Sequence, residues 1–494
     1  MRASVGRYLF LTLALAPLAG CGGTSRSTVT NPAPLSADNL NLIFVVSGDL
    51  AYQTAGDISP TTANLTSQGL QRSLQMATFL KKDVLGTENV SGISVLEPMT
   101  HLQTAENYPD MAAIADLQQF SLLNQVTMSG TIQGWTPLTA YSYPINVSYG
   151  YGTSYSGVAA PALICPACQG IDFTDQGDDN EALTTGIIQK GLPGFYLFSS
   201  PWETTSAMLA KINTLEGYNL TLPASYQGAN TIYAISISSS GSARLVTYNS
   251  NLSPSLTYPV LPAKVPTLAS CAAAPIDIEL TGGVDNATVP SGTNTDETIY
   301  FVRHVEAHPN NTYWEDGSYV GPGQWRALDL PYALNGKIAP DQVWSVDPAQ
   351  VIPGPQNING DFSWSYERPA LTIEPYAIAN NLPLNLAASI ALESASAPKQ
   401  TSQFFTNGGT FSNHKLLVAW EHESITFAVK ALVASYLPPD STQLAADQAQ
   451  LVWASPDYDS IWTLTFDSKG NLTVKNDLCE GIDSEKLPNA PPIF

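Results

Sequence analysis

Two histidines and two arginines in the second half of this chain have the types and settings needed for chemistry at phosphorus. Arg303 and His304 close an apolar run, Thr298-Ile-Tyr-Phe-Val302, and His422 follows a second, Leu416-Leu-Val-Ala-Trp420. Such runs read as buried strands, so both histidines emerge at strand ends. That is where ligands bind in an open α/β sheet. Arg368 and Thr372 lie between them in the chain. A neutral imidazole can displace at phosphorus and form a covalent intermediate that water then cleaves. Arginine forks meet the phosphoryl oxygens two at a time, which lysine cannot do. Scarcity adds weight: the chain has five histidines (His101, His304, His308, His414, His422), and beyond residue 40 its arginines are only Arg72, Arg244, Arg303, Arg326 and Arg368. His308 and His414 read as loop residues. Arg72 and Arg326 sit in matching helical contexts and read as structural, and Glu421 reads as a strand-end surface carboxylate.

The pattern resembles the histidine phosphatase superfamily, also called phosphoglycerate-mutase-like. Its opening motif, strand then Arg-His-Gly-Glu with an Asn a few residues on, is matched by Arg303-His304-Val305-Glu306 and Asn310, with valine replacing the glycine. Its second motif is matched by Arg368-Pro-Ala-Leu-Thr372, and its late strand-then-histidine by Trp420-Glu-His422-Glu-Ser424. The resemblance implies that His304 is the nucleophile and that Arg303, Asn310, Arg368 and His422 bind the phosphoryl group. It also implies a carboxylic acid that protonates the leaving oxygen. Glu393 and Glu423 compete for that role, with Glu423, directly after the late histidine, preferred. No metal and no cofactor is called for.

The elements that must position these residues occur twice. Leu42-Ile-Phe-Val-Val46 leads into Ser47-Gly48-Asp49 where the second half has Arg303-His304-Val305, and a helix entry ending at Arg72 parallels the one ending at Arg326. Glu97-Pro-Met-Thr-His-Leu-Gln-Thr-Ala-Glu106 resembles the second motif with Thr100 or His101 at the arginine position, and Trp202 falls near the place of His422. The first half therefore reads as a copy without the chemistry that supports its sister. The expected architecture is α/β, two phosphoglycerate-mutase-like three-layer α/β/α domains in tandem. Residues 41–250 form the degenerate copy, 251–297 a linker too rich in Pro, Ala, Ser and Thr for a long element, and 298–494 the copy with the motif residues.

The amino terminus carries Arg2 and Arg7, an apolar stretch over 8–18, and then Leu18-Ala-Gly-Cys21. This resembles a bacterial lipobox, which implies a signal peptide over 1–20, lipid on Cys21 and a tether over 21–40. Gly22 after the cysteine places the expected anchor in the outer membrane, so the protein belongs to the cell envelope and meets a membrane through its lipid alone. With 42 acidic and 20 basic residues the formal charge is −22, which argues against nucleic acid as a partner. Four further cysteines suggest two disulfides. Cys165 with Cys168 would brace a long insertion, and Cys271 with Cys479 would staple the ends of the second copy. The expected function is a metal-independent phosphomonoester hydrolase that acts on a phosphorylated small molecule. The rival is a non-enzymatic envelope lipoprotein that uses the scaffold to bind a ligand or protein, and a mutase is a third reading.

Overall fold

A computed structural model describes residues 30–52, 56–104, 106, 108–128, 138–139, 142–149, 179–271, 273–307, 316–353, 363–387 and 404–494. Cys21, Cys165, Cys168, His308, Asn310 and Glu393 lie outside the described residues. Residues 32–494 form one compact unit built on two sheets.

The first sheet consists of β1 (Leu40–Val46), β2 (Gly92–Leu96), β3 (Asn146–Tyr149), β4 (Gly194–Ser200), β5 (Thr231–Ile237) and β6 (Ala243–Asn249), in the order β6-β5-β1-β4-β2-β3. The second consists of β7 (Asp277–Leu280), β8 (Glu297–Arg303), β9 (Gln342–Val346), β10 (Leu384–Ala387), β11 (Lys415–Trp420), β12 (Ser460–Phe466) and β13 (Leu472–Cys479), in the order β7-β13-β12-β8-β11-β9-β10. Apart from the extra edge strand β7, the two orders are the same. In each, the central strand runs parallel to one neighbour and antiparallel to the other. All seven residues of β1 are buried, as a strand covered on both faces requires.

Helices flank both sheets. In the first lobe α1 (Ser67–Phe79) packs on α2 (Ala112–Leu122), α3 (Asp179–Lys190) packs on α4 (Trp202–Leu215), and α4 lies on β1 and β4. In the second, α5 (Gly321–Ala333) packs on α6 (Arg368–Asn380), α6 lies on β9 and β11, and α7 (His422–Tyr436) contacts α8 (Thr442–Gln450). Capping explains several of the boundaries. Thr66 Oγ1 accepts from Gly69 N at the start of α1, Pro369 sits in the first turn of α6, where its missing N–H costs nothing, and Asn381 ends α6 in the left-handed conformation.

The lobes share a core. Ile58, Leu65, Leu70 and Leu74 of the first meet Leu328 and Ile378 of the second, with Phe494 against the same cluster. The carboxyl-terminal tail crosses between lobes. Trp325 Nε1 donates to Ala490 O at 2.8 Å, Gln119 Nε2 to Pro492 O at 2.6 Å and Thr78 Oγ1 to Phe494 O at 3.2 Å.

Two expected boundaries shift. The tether over 21–40 ends early, because Leu35 is buried with its N–H on Val84 O, and Ala33 O accepts from Tyr248. The linker over 251–297 is not structureless, because Asp277–Leu280 pairs with β13. Ile278 and Leu280 face inward there and Asp277 and Glu279 outward, a two-residue alternation that the surrounding proline-rich composition hid. Cys271 and Cys479 are joined as expected, with Cα atoms 5.6 Å apart.

Candidate active site

The second sheet brings together four of the residues singled out from the sequence. His304 N donates to Trp420 O at 2.9 Å, so the chain leaves β8 still in register with β11, and His422 begins α7 two residues beyond β11. His304 is buried, with Nδ1 2.8 Å from Val305 O. That contact assigns the ring proton to Nδ1 and leaves the Nε2 lone pair free. Burial first, then the charges of Arg368 and Arg303, drive the His304 pKa well below the ordinary histidine range, with His422 a smaller contributor. The imidazole is therefore neutral at pH 7.

Each arginine is aimed by an aromatic ring and by carbonyls. The Arg303 guanidinium lies 4.0 Å over the Tyr458 ring, and its Nη1 donates to Ser455 O and, at 3.4 Å, to Asp457 O. Its Nε is buried without a partner among the described residues. The Arg368 guanidinium lies 5.1 Å from the Tyr366 ring, and its Nη1 donates to Ser318 O at 3.4 Å. Both rings stand edge-on to His304, with centroids at 6.4 Å for Tyr366 and 6.2 Å for Tyr458. These tyrosines escaped the sequence reading. Tyr366 is two residues before Arg368, but Tyr458 comes from the loop before β12 and carries no local signal.

Thr372 ties the two motifs together. Its hydroxyl accepts from Val305 N at 3.0 Å and donates to Arg368 O at 2.7 Å, so the loop after the nucleophile is bonded to the helix that carries the second arginine. Gly317 completes this support. Its φ is +72°, its carbonyl accepts from Arg368 N, and a Cβ there would lie 1.6 Å from Ser365 O. Val305 is buried, and Gly323 of α5 makes room for it: a Cβ on Gly323 would meet Val305 Cγ2 at 2.8 Å.

Glu306 pairs with Arg326. Its Oε1 accepts from Arg326 Nε at 2.9 Å and from Ser484 Oγ at 2.8 Å, and Arg326, fully buried, also donates to Glu480 Oε2 at 2.6 Å. Glu421 is more than a surface carboxylate. One oxygen caps α7 through Ser424 N at 2.8 Å and the other lies against His422 Nδ1. Burial alone would raise its pKa, but the His422 contact and two backbone amides outweigh it and bring it to about 2. Glu423 is exposed in the first turn of α7.

The register also corrects the alignment of the lobes. Ser47 N donates to Ser200 O as His304 N does to Trp420 O, and Val45 opposes Ile232 as Val302 opposes Ile461. Ser47, rather than Gly48, thus occupies the position of His304, and Trp202-Glu203 the position of His422-Glu423. Glu97–Glu106 does not replace the second motif, since α2 begins only at Ala112. His101 reaches the strand ends from the preceding loop and lies between Asp49 and Glu203.

No protein-family model and no curated protein matches the sequence. Among solved structures, the chain is similar to a protein from Escherichia coli described as an alpha-ribazole-5'-P phosphatase, at 13% identity and a TM-score of 0.26, covering 38% of this chain and 99% of that one. It is also similar to phosphoglycerate mutase from Plasmodium falciparum, at 13% identity and a TM-score of 0.25 over 38% and 94% of the two chains. A phosphoserine phosphatase variant from Entamoeba histolytica, solved with phosphoserine, matches at 11% identity and a TM-score of 0.24 over 36% and 94%. These scores are too low to transfer any activity.

Proposed function

We propose that the second lobe is a phosphomonoester hydrolase of the histidine phosphatase type that works through a phosphohistidine on His304. The observation that carries this reading is a buried imidazole, kept neutral, with one nitrogen bonded to Val305 O and two arginines and a second histidine around it. His304 Nε2 attacks phosphorus, and the bond from phosphorus to the leaving oxygen breaks. Arg303, Arg368 and His422 hold the three phosphoryl oxygens as charge builds there. Glu421 keeps His422 oriented. Glu423, at the mouth of α7, protonates the leaving oxygen, and water then cleaves the phosphoenzyme with the same residue as base. The substrate is a phosphorylated small molecule, and the arginines supply the charge that a metal would otherwise provide.

Matched strand order and register support reading the two lobes as copies of one unit, the first having lost its nucleophile and clamp. The resemblance of Leu18–Cys21 to a lipobox supports a bacterial envelope protein held at the outer membrane by lipid on Cys21. For that anchor, Cys21→Ala is expected to move the protein into the soluble envelope fraction. Pelleting of the variant with membranes at high salt counts against it.

For the chemistry, rapid quench with an aryl phosphate is expected to trap acid-labile, base-stable phosphate on the wild type. His304→Ala should abolish turnover, and Arg368→Ala should lower it about a hundredfold. If no phosphoenzyme forms and His304→Ala hydrolyses as the wild type does, or if the wild type cleaves nothing on a broad substrate panel, the reading fails and a binding lipoprotein takes its place.

A further inference from the structure

The strand ends of the first sheet, at the place where the second sheet gathers its cations, hold the opposite charge. Asp49 follows β1, His101 comes from the loop after β2, and Glu203 lies in the first turn of α4. We propose that these three residues bind a divalent first-row transition-metal ion, so that the degenerate lobe has exchanged a phosphate pocket for a cation site. This reading does not depend on the second lobe being an enzyme.

The geometry is close to that of a site already assembled. His101 Nε2 is 2.8 Å from Asp49 Oδ2, His101 Nδ1 is 3.1 Å from Glu203 Oε1, and one ligand atom from each residue lies within 4.8 Å of the others. Donors around a tetrahedral zinc-sized ion are about 3.4 Å apart. Asp49 and Glu203 meet opposite nitrogens of the ring, so binding requires the Glu203 side chain to swing to the Nε2 side, beside Asp49. The acidic residues are aimed by the backbone. Asp49 Oδ1 accepts from Ala51 N, which leaves Oδ2 turned to the imidazole.

A fourth carboxylate gives independent support. Asp110 is 2% exposed, its Oδ1 accepts from Ala112 N at 2.9 Å, and its Oδ2 has no donor at full hydrogen-bonding geometry among the described residues, with the Gln103 side chain a minor influence on the carboxyl. That oxygen faces the cluster, 4.0 Å from His101 Nε2. A buried oxygen without a donor is costly unless a cation meets it. A divalent ion in place of the ring proton would offset the carboxyl groups gathered around His101. Oxygen donors with a single imidazole and no thiolate suit manganese, iron or zinc better than a soft ion.

The test uses the purified full-length protein, stripped with chelator and titrated with Zn²⁺ or Mn²⁺ alone by calorimetry, with bound metal counted after dialysis. One ion per chain is expected. Asp49→Asn and Glu203→Gln should each weaken binding at least tenfold, while His304→Ala binds as the wild type does. Circular dichroism checks folding. If Asp49→Asn does not fold, Glu203→Gln decides, because that side chain is 31% exposed at a helix start. Absence of a stoichiometric ion in the wild type, or wild-type binding by the folded variants, overturns the proposal.

Discussion

Val305 and Gly323 are matched in size: the valine fills the space beside α5, and glycine is required across from it. Val305→Gly is therefore expected to destabilise the protein by at least about 2 kcal/mol, since it removes a buried side chain and adds backbone freedom. Chemical denaturation checks this, and an unchanged midpoint would show that the two positions are not coupled. The hydroxyl of Thr372 makes the matching case for a polar group. Thr372→Val leaves Val305 N buried without an acceptor, a loss of about 1 to 3 kcal/mol, and it frees the loop after His304. The expected result is a lower melting temperature together with a lower kcat, and loss of neither would remove Thr372 from the positioning role given to it here. His304, Arg303, Arg368 and His422 were legible in the sequence because each sits at a strand end or helix start with a local signature. Tyr458 was not, because the guanidinium it carries belongs to a residue far away in the chain, and Tyr366 and the second role of Glu421 were not, because their neighbours Arg368 and His422 do not reveal which way each side chain turns.

At the scale of elements, the first lobe holds the segment that delivers Arg368. Val147 N donates to Ser365 Oγ at 2.9 Å and Ile145 N to Glu367 Oε1 at 3.3 Å, so the edge of the first sheet grips the three residues before the helix. Ser365→Ala leaves Val147 N without that acceptor and is expected to lower kcat for the aryl phosphate several-fold while His304 stays in place. An unchanged kcat would confine the first lobe to bulk packing. Arg326 plays the corresponding internal part in the second lobe. Arg326→Met strands Glu306 and Glu480 without their cation and should cost about 3 to 5 kcal/mol, read by denaturant unfolding. The parallel placement of the first strands could be anticipated because the apolar runs Leu42–Val46 and Thr298–Val302 match. The edge strand β7 and the early end of the tether could not, since each is fixed by a partner distant in sequence, β13 for one and the helical segment ending at Val84 for the other.

Among the described residues, several carboxyl groups lie buried or half-buried, some of them where the lobes meet. Glu97 of the first lobe faces Asp347 of the second. Burial, with Asp347 adding to it, pushes Glu97 up to about 7, and burial pushes Asp347 up to about 6. Burial likewise brings Asp116, which acts across the boundary on Glu374, to about 7, and Glu297 to about 8. A carboxyl group whose folded pKa is raised holds its proton more tightly in the native state than in the unfolded chain. The native state then binds more protons between about pH 4 and the folded pKa, so stability falls as pH rises through that window, by up to about 1.4 kcal/mol per pH unit for each extra proton. Glu421 works the other way: its folded pKa of about 2 gives stability that is present above the ordinary carboxylate pKa and is lost as pH falls towards 2. Together these place the maximum near pH 4, with a decline towards pH 8 that the growing net negative charge steepens. Melting temperatures measured from pH 4 to 8 in one buffer series are expected to drop by several degrees between pH 5 and 8, and Glu297→Gln, which cannot ionise, should flatten the upper part of the curve. A melting temperature that is level or rises over that range would mean that these carboxyls are ionised and solvated in the folded protein, and the lobe boundary would then have to be held by its apolar contacts and the carboxyl-terminal tail alone.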